Sequence, residues 1–418
     1  MRRSFWENID FAAIFVWICL VSIGLVAIYS TTKGAGHELL DTQMQENFAK
    51  QRNWFLICGV FLIVIMSLPI WFFTRLAPVF YIITFILLIV TRFTSRKING
   101  AYSWLVIGPI QLQISEFAKV AGALMVAYLM ANRQRAQWEI QQVALAVASL
   151  FFPAVILIFV QNDTGTGLVF LALIPIVLYW SGMPLQWVGL MLAPMVTGYL
   201  CIFYLKAAIV FALLATAAMY FASKDIKMTG IMAGLTGGLV AAFAFLVSQL
   251  QPHQVERIKA ISNPEEFASG VGYQTLQSMY TIGAGGFMGE GFMQGTQTQM
   301  GYVPEQSTDF VFTVISEEFG FMGSMLVLVL FAILMYRMLY GLNKIQNSFA
   351  QYYGICAIGI IFVHIIINIG MTLGVVPVIG IPLPFISYGG TALLANTALF
   401  GIAMNFQMRY NEFPAQGI

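Results

Sequence analysis

Apolar residues along this chain gather into long, nearly continuous runs and do not alternate with polar ones. The runs lie near 10–30, 53–73, 75–93, 113–131, 143–160, 167–182, 184–205, 207–222, 229–250, 310–336, 351–373 and 385–408. A transmembrane helix needs about 20 consecutive apolar residues, whereas a transmembrane β-strand alternates over about ten. The pattern therefore predicts an all-α fold: a polytopic transmembrane helical bundle of about twelve spans. An even number of spans places both termini on one side of the membrane. The first run follows Met1-Arg2-Arg3 and lacks a small-x-small cleavage site, so it reads as an uncleaved span.

Residues 251–309 break the pattern. They are polar and rich in glycine, interleaved with Gln274, Gln277, Gln294, Gln297, Gln299 and aromatics. Loops this long are uncommon and often functional, and a plain linker would be Gly/Ser/Pro-rich without that mixture.

Composition agrees with the pattern. The 418 residues include 20 Lys+Arg and 18 Asp+Glu, so 9% are charged and 59% hydrophobic. A soluble domain carries about 25% charged residues. A cytosolic globular enzyme, a disordered chain and a charge-driven nucleic-acid binder are excluded, and membrane lipid is the expected surrounding. Lys and Arg divide almost evenly between the two sides. Those at Arg2, Arg3, Arg75, Arg133 and Arg135, however, lie in short loops beside spans, where the positive-inside rule has force. This puts both termini inside and 251–309 outside. Cys19, Cys58, Cys201 and Cys356 are far apart, as are His37, His253 and His364, so no metal site built on Cys or His is expected.

An ionisable side chain in hydrocarbon costs roughly 2.5–3.5 kcal/mol or more, so those kept there are functional candidates. Glu116 and Lys119 are i,i+3 on a helix and can pair, either to lock helices together or to line a polar cavity. Asp163 with Thr164 either caps the next helix or contributes to a site. Asp309, Glu317 and Glu318 stand at the start of a long apolar run. Glu317 and Glu318 diverge by about 100° on a helix, so at least one faces the protein interior. His364 and Asn368, i,i+4, precede a stretch holding Pro377, Gly380, Pro382 and Pro384. Non-helical backbone of that kind is tolerated at membrane depth only when buried in protein or lining an aqueous cavity.

The segment Val375-Val376-Pro377-Val378-Ile379-Gly380-Ile381-Pro382-Leu383-Pro384-Phe385-Ile386-Ser387-Tyr388-Gly389-Gly390 closely resembles the C-terminal signature of the SEDS family (shape, elongation, division, sporulation). So does the stretch from Gly270-Val271-Gly272-Tyr273-Gln274 through Gln277-Ser278, Pro304-Glu305 and Thr308-Asp309-Phe310 to Glu317-Glu318. Ser115-Glu116 with Lys119, and Asp163-Thr164-Gly165-Thr166, match further family positions. Arg2-Arg3-Ser4, Ile9-Asp10 and Tyr29-Ser30 resemble the RodA branch. The likeness covers nearly the whole chain, 1–418, as a single integral membrane domain.

The resemblance implies a peptidoglycan glycosyltransferase that polymerises lipid II, the lipid-linked disaccharide-pentapeptide, for lateral wall growth. It implies work at the outer face of the cytoplasmic membrane beside a class B penicillin-binding protein. The family has ten spans, so the surplus at 207–250 reads as an inserted helix pair. The family's proposed catalytic Asp stands three residues before Gly270, where this chain has Phe267. Glu265 and Glu266 precede it, and Glu266 is the expected replacement, with Asp309 as the other carboxylate. Such a group takes the proton from the acceptor hydroxyl as it attacks the anomeric carbon. Arg257 and Lys259 could hold the leaving pyrophosphate. Gln274, Gln277, Ser278, Glu116, Lys119, Asp163, Glu317, Glu318, His364, Asn368, Ser387 and Tyr388 complete the expected substrate site. The resemblance leaves a divalent cation open. Its ligands here would be oxygens, which suits Mg2+ or Mn2+, and no organic cofactor is expected. Two other readings stay open. Buried charges suit a lipid flippase or transporter, and Phe267 suits a non-catalytic scaffold.

Overall fold

The computed structural model describes residues 8–34, 45–94, 102–107, 110–131, 140–249 and 272–412. In chain order the long helices are α1 (Phe11–Lys33), α2 (Asn47–Ser67), α3 (Ile70–Thr94), α4 (Ile114–Met130), α5 (Ile140–Val155), α6 (Thr164–Trp180), α7 (Leu185–Phe203), α8 (Leu205–Ser223) and α9 (Ile226–Gln249). The shorter α10 (Tyr273–Ala284) and α11 (Thr296–Gln299) follow, then α12 (Val311–Leu342), α13 (Ser348–Thr372) and α14 (Gly390–Met408). A helix occupies every apolar run predicted above. Among the described residues, eight helices are long and apolar enough to cross a membrane, and Thr164–Trp180 and Leu185–Cys201 are shorter apolar helices.

Three local differences from the sequence reading have physical causes. The break between α2 and α3 falls at Leu68 and Pro69, not near 74. Leu68 is extended (φ −67, ψ 143) because the following proline disfavours helical backbone before it. Segments 104–107 and 110–113 form an antiparallel hairpin, Trp104 opposite Gln113 and Ile107 opposite Ile110. Their β-branched residues flank Gly108-Pro109, a turn signal in the sequence. The predicted loop 251–309 contains the helices α10 and α11.

The chain divides into two compact units. The first comprises residues 1–177, 278–373 and 379–418. In it, Asp10 caps α1 by accepting from the Ala13 N–H at 3.0 Å, and also receives Arg337 of α12 in a two-pronged ion pair, Nη2–Oδ1 2.8 Å and Nε–Oδ2 2.9 Å. The Asn405 side chain of α14 reaches the last carbonyls of α2, donating to Ile65, Met66 and Leu68 at 2.8–3.0 Å. Carbonyls at a helix end lack the N–H of a following turn, and here Asn405 supplies a donor beside the Leu68 N–H that already reaches Ile65 at 3.2 Å. The second unit comprises residues 178–277 and 374–378. Its core packs Leu190 and Ala193 of α7 against Met219 of α8 and Met228 and Met232 of α9.

Candidate active site

The first unit holds a set of buried polar side chains arranged along α13. His364 and Asn368 lie one turn apart, 1% and 0% exposed. Lys119 of α4, fully buried, sits between Glu116 Oε1 at 2.8 Å and His364 Nε2 at 2.8 Å. The ammonium can only donate, so Nε2 accepts, and the ring proton sits on Nδ1, which donates to the Pro382 carbonyl at 3.2 Å. Asn368 Nδ2 donates to the carbonyls of Asp309 at 2.9 Å and Ile381 at 2.7 Å. One α13 face thus joins the Glu116–Lys119 pair, the re-entrant stretch 379–389 and the backbone of Asp309. Glu116 Oε2 and Asn368 Oδ1 remain buried without a hydrogen-bond partner.

The Asp309 carboxylate faces Gly380, whose ideal Cβ would lie 3.4 Å from Oδ2. Gly380 has φ +69, a conformation open to glycine, and its bare Cα leaves the carboxylate room. Burial, reinforced by the charge of Glu305, raises the Asp309 pKa to about 6. A carboxylate in that range is suited to accept a proton near neutral pH.

Glu317 and Glu318 serve the glycine-rich loop. Glu317 accepts from the backbone N–H groups of Gln297 at 2.7 Å and Thr298 at 2.9 Å, and from the Thr298 hydroxyl. Glu318 accepts from the Ser30 hydroxyl and from the Met293 N–H at 3.2 Å. Both carboxylates bind residues of their own chain. Glu318 keeps Oε2 without a hydrogen-bond partner.

The other candidates are placed as follows. Asp163 caps α6, accepting from Thr166 N–H at 3.1 Å, and takes Gln113 Nε2 at 3.4 Å. Ser278 donates to the Thr372 carbonyl at 2.7 Å. Ser387 Oγ accepts from the Leu383 N–H at 2.8 Å, which shapes the tip of the re-entrant segment. Burial pushes the Tyr388 hydroxyl above its ordinary pKa, with Lys50 opposing and Glu46 reinforcing the shift. Gln274 and Gln277 are half-buried on α10, within the second unit. Glu266, Arg257 and Lys259 lie outside the described residues. Sequence reasoning passes over Asn47, Gln51 and Ser307, which hold the re-entrant tip. Their signal is a polar residue inside or beside an apolar helix, weaker than a charge.

Comparisons with known proteins agree with this architecture. The FtsW/RodA/SpoVE profile, described as cell cycle protein, matches residues 11–208 and 204–412. Peptidoglycan glycosyltransferase MrdB of Escherichia coli strain K12 is 29% identical, over 97% of this chain and 95% of that one. Peptidoglycan glycosyltransferase RodA of Treponema pallidum is 28% identical, over 98% and 100%. Stage V sporulation protein E of Bacillus subtilis is 27% identical, over 97% and 98%. Among solved structures, a chain from work on structural coordination of polymerization and crosslinking by a peptidoglycan synthase complex is similar, with a TM-score of 0.70 and 23% identity, over 97% of this chain and 99% of that one. Thermus thermophilus rod shape determining protein RodA is similar with a TM-score of 0.60 and 22% identity, over 96% and 97%. Both structural likenesses concern the fold.

Proposed function

Because this chain belongs to the FtsW/RodA/SpoVE family, we propose that the buried site around Asp309 carries out glycosyl transfer onto growing glycan strands. The chain is a membrane-embedded peptidoglycan glycosyltransferase. The finer reading is a lipid II polymerase for lateral wall growth, working at the outer face of the cytoplasmic membrane with a class B penicillin-binding protein. In this reading both termini are cytoplasmic, and 207–250 is an inserted helix pair within a single domain.

In the proposed reaction the acceptor hydroxyl of one lipid-linked sugar attacks the anomeric carbon of another. The bond from that carbon to the pyrophosphate oxygen breaks, and the lipid pyrophosphate leaves with the electron pair. Asp309 takes the hydroxyl proton. The observation that carries this assignment is its half-buried carboxylate, raised to about 6, facing the bare Cα of Gly380. Lys119, held between Glu116 and neutral His364, supplies positive charge within the bundle. Arg257 and Lys259 are the further candidates for the departing pyrophosphate. Among the described residues no group of three or more His, Cys, Asp or Glu is placed to hold a metal ion. The proposed cation is Mg2+ or Mn2+, which one or two carboxylates together with the substrate pyrophosphate suffice to hold.

The test is polymerisation of labelled lipid II by the purified chain with a class B penicillin-binding protein. General-base removal costs about 10^2–10^4-fold, so Asp309→Asn should lose polymer by that factor. Full polymer from Asp309→Asn with loss in Glu266→Gln would move the base to Glu266. Translocation of lipid II in liposomes without polymer would favour the flippase reading.

A further inference from the structure

We propose that Gln51, on α2, is a positioning residue that fixes the re-entrant segment over Asp309. Its amide clasps both sides of Tyr388. Oε1 accepts from the Gly389 N–H at 3.1 Å, and Nε2 donates to the Ser387 carbonyl at 3.2 Å. Between these two bonds, the Tyr388 N–H donates to the Ser307 carbonyl at 2.8 Å. Ser307 Oγ in turn accepts from Asn47 Nδ2 at 3.3 Å, one turn before Gln51 on the same helix. One turn after Gln51, the Trp54 indole lies where a Cβ on Gly390 would be, 2.1 Å from its ring atoms. Residues 47, 51 and 54 form one stripe of α2. That stripe ties Ser387–Gly390 to Ser307, and Ser307 stands two residues before Asp309.

The coupling to the base follows from the backbone. Asp309 is held from one side through Ser307, and from the other by Asn368, which also holds Ile381 next to Gly380. Gln51 is 1% exposed, and a glutamine this deep in an apolar bundle costs free energy unless its groups are paired. Its Oε1 and Nε2 are spent on the re-entrant tip. Releasing the tip lets water approach Asp309 and alters the spacing across Gly380. The charged group acting on Asp309 is Glu305 from its own loop. From α13 Asp309 meets Asn368, with His364 one turn further along. The re-entrant segment offers uncharged Gly380 and, at Ser307, Tyr388. Lys50 of α2 and Glu46, which precedes that helix, act on Tyr388.

This inference rests on Asp309 as the base, so one experiment reads both. The pH–rate profile of lipid II polymerisation is measured with the full chain and its penicillin-binding partner, for the unaltered protein, Gln51→Ala, Gln51→Glu and Asp309→Asn. A misplacement of order 1 Å costs about 10^2-fold, and Gln51→Ala should lower kcat by about that factor with KM held within about twofold. The acid limb should also move to lower pH, because a better-hydrated Asp309 ionises more readily. Gln51→Glu keeps an acceptor for Gly389 and should recover part of the rate. A purely structural loss would shrink the amplitude and leave the limb in place, and that result overturns the proposal. If Gln51→Ala turns over like the unaltered chain while Asp309→Asn is inactive, the positioning role fails and the base stands. If Asp309→Asn retains activity, both fall together. If Gln51→Ala does not fold, the limb of Gln51→Glu decides: moved to lower pH supports the proposal, unmoved or moved to higher pH overturns it.

Discussion

Burial and the neighbouring Glu305 raise the Asp309 pKa to about 6, and both act against the ionised form. A base works deprotonated, so polymerisation should fall as pH drops through about 6, and Asp309→Asn should remove that limb with the rate. The sign for stability is opposite. A carboxyl whose pKa is raised by folding destabilises the folded chain once ionised, above that pKa. Asp309→Asn should therefore melt higher than the unaltered chain at pH 8 while losing activity, and a lower melting temperature would contradict the burial. Lys119 presents the reverse case. It is fully buried against Glu116 and His364. Removing one partner of a buried pair leaves the other uncompensated, at a cost of about 3–5 kcal/mol. Lys119→Ala should unfold at lower denaturant, and Lys119→Ala with Glu116→Ala should recover part of the loss.

At the scale of elements, the start of α12 is built from two segments. Gly320 has φ +63 inside the helix, and the ladder opens there. The N–H groups of Phe321 and Met322 turn to the carbonyls of Gly286 and Phe287, at 3.0 and 3.3 Å. The carbonyls of Glu317 and Glu318 accept instead from Glu290 and Gly291, at 2.9 and 3.0 Å. These four backbone groups displaced from the helix are thus answered by the glycine-rich loop, as burial demands. Gly289 makes the close approach possible. Its φ is +82, and a Cβ would lie 2.2 Å from the Glu318 carbonyl oxygen. Gly289→Ala should destabilise by about 1–3 kcal/mol from backbone strain alone, with the clash added. Gly230→Ala, where a Cβ meets nothing within 4 Å, should have no comparable effect on the melting temperature in detergent. The glycine richness of 283–301 is evident in the sequence. Its reason, a backbone-to-backbone seat on a broken helix, is not, because a hydrogen-bond partner thirty residues away leaves no local pattern.

For the whole molecule, N-in topology puts the α8–α9 connection and the α10–α12 region on opposite sides of the membrane. Cysteines at Lys227 and Met288, both exposed, read the difference. A membrane-impermeant maleimide on intact cells should label Met288→Cys and spare Lys227→Cys, with the native cysteines measured in the unaltered chain as background. The reverse labelling would invert the topology.

The sequence by itself determines that this chain is an all-α membrane bundle, because apolar runs long enough to span hydrocarbon need no distant partner to be recognised. It also marks Glu116, Lys119, His364, Asn368 and Asp309, since polar groups kept among apolar ones stand out by their cost. The break at Pro69 belongs to the same class of local fact, missed by a few residues. Tertiary structure alone decides what those groups do. It sets Lys119 between an acid of its own helix and His364, which lies 245 residues away in sequence. It directs Glu317 and Glu318 to a loop, and it brings Gln51 to the tip of a segment 336 residues distant. Side-chain periodicity assigns a face to each residue, but only the packing of several helices selects which faces meet. The protonation and geometry of a site depend on that meeting.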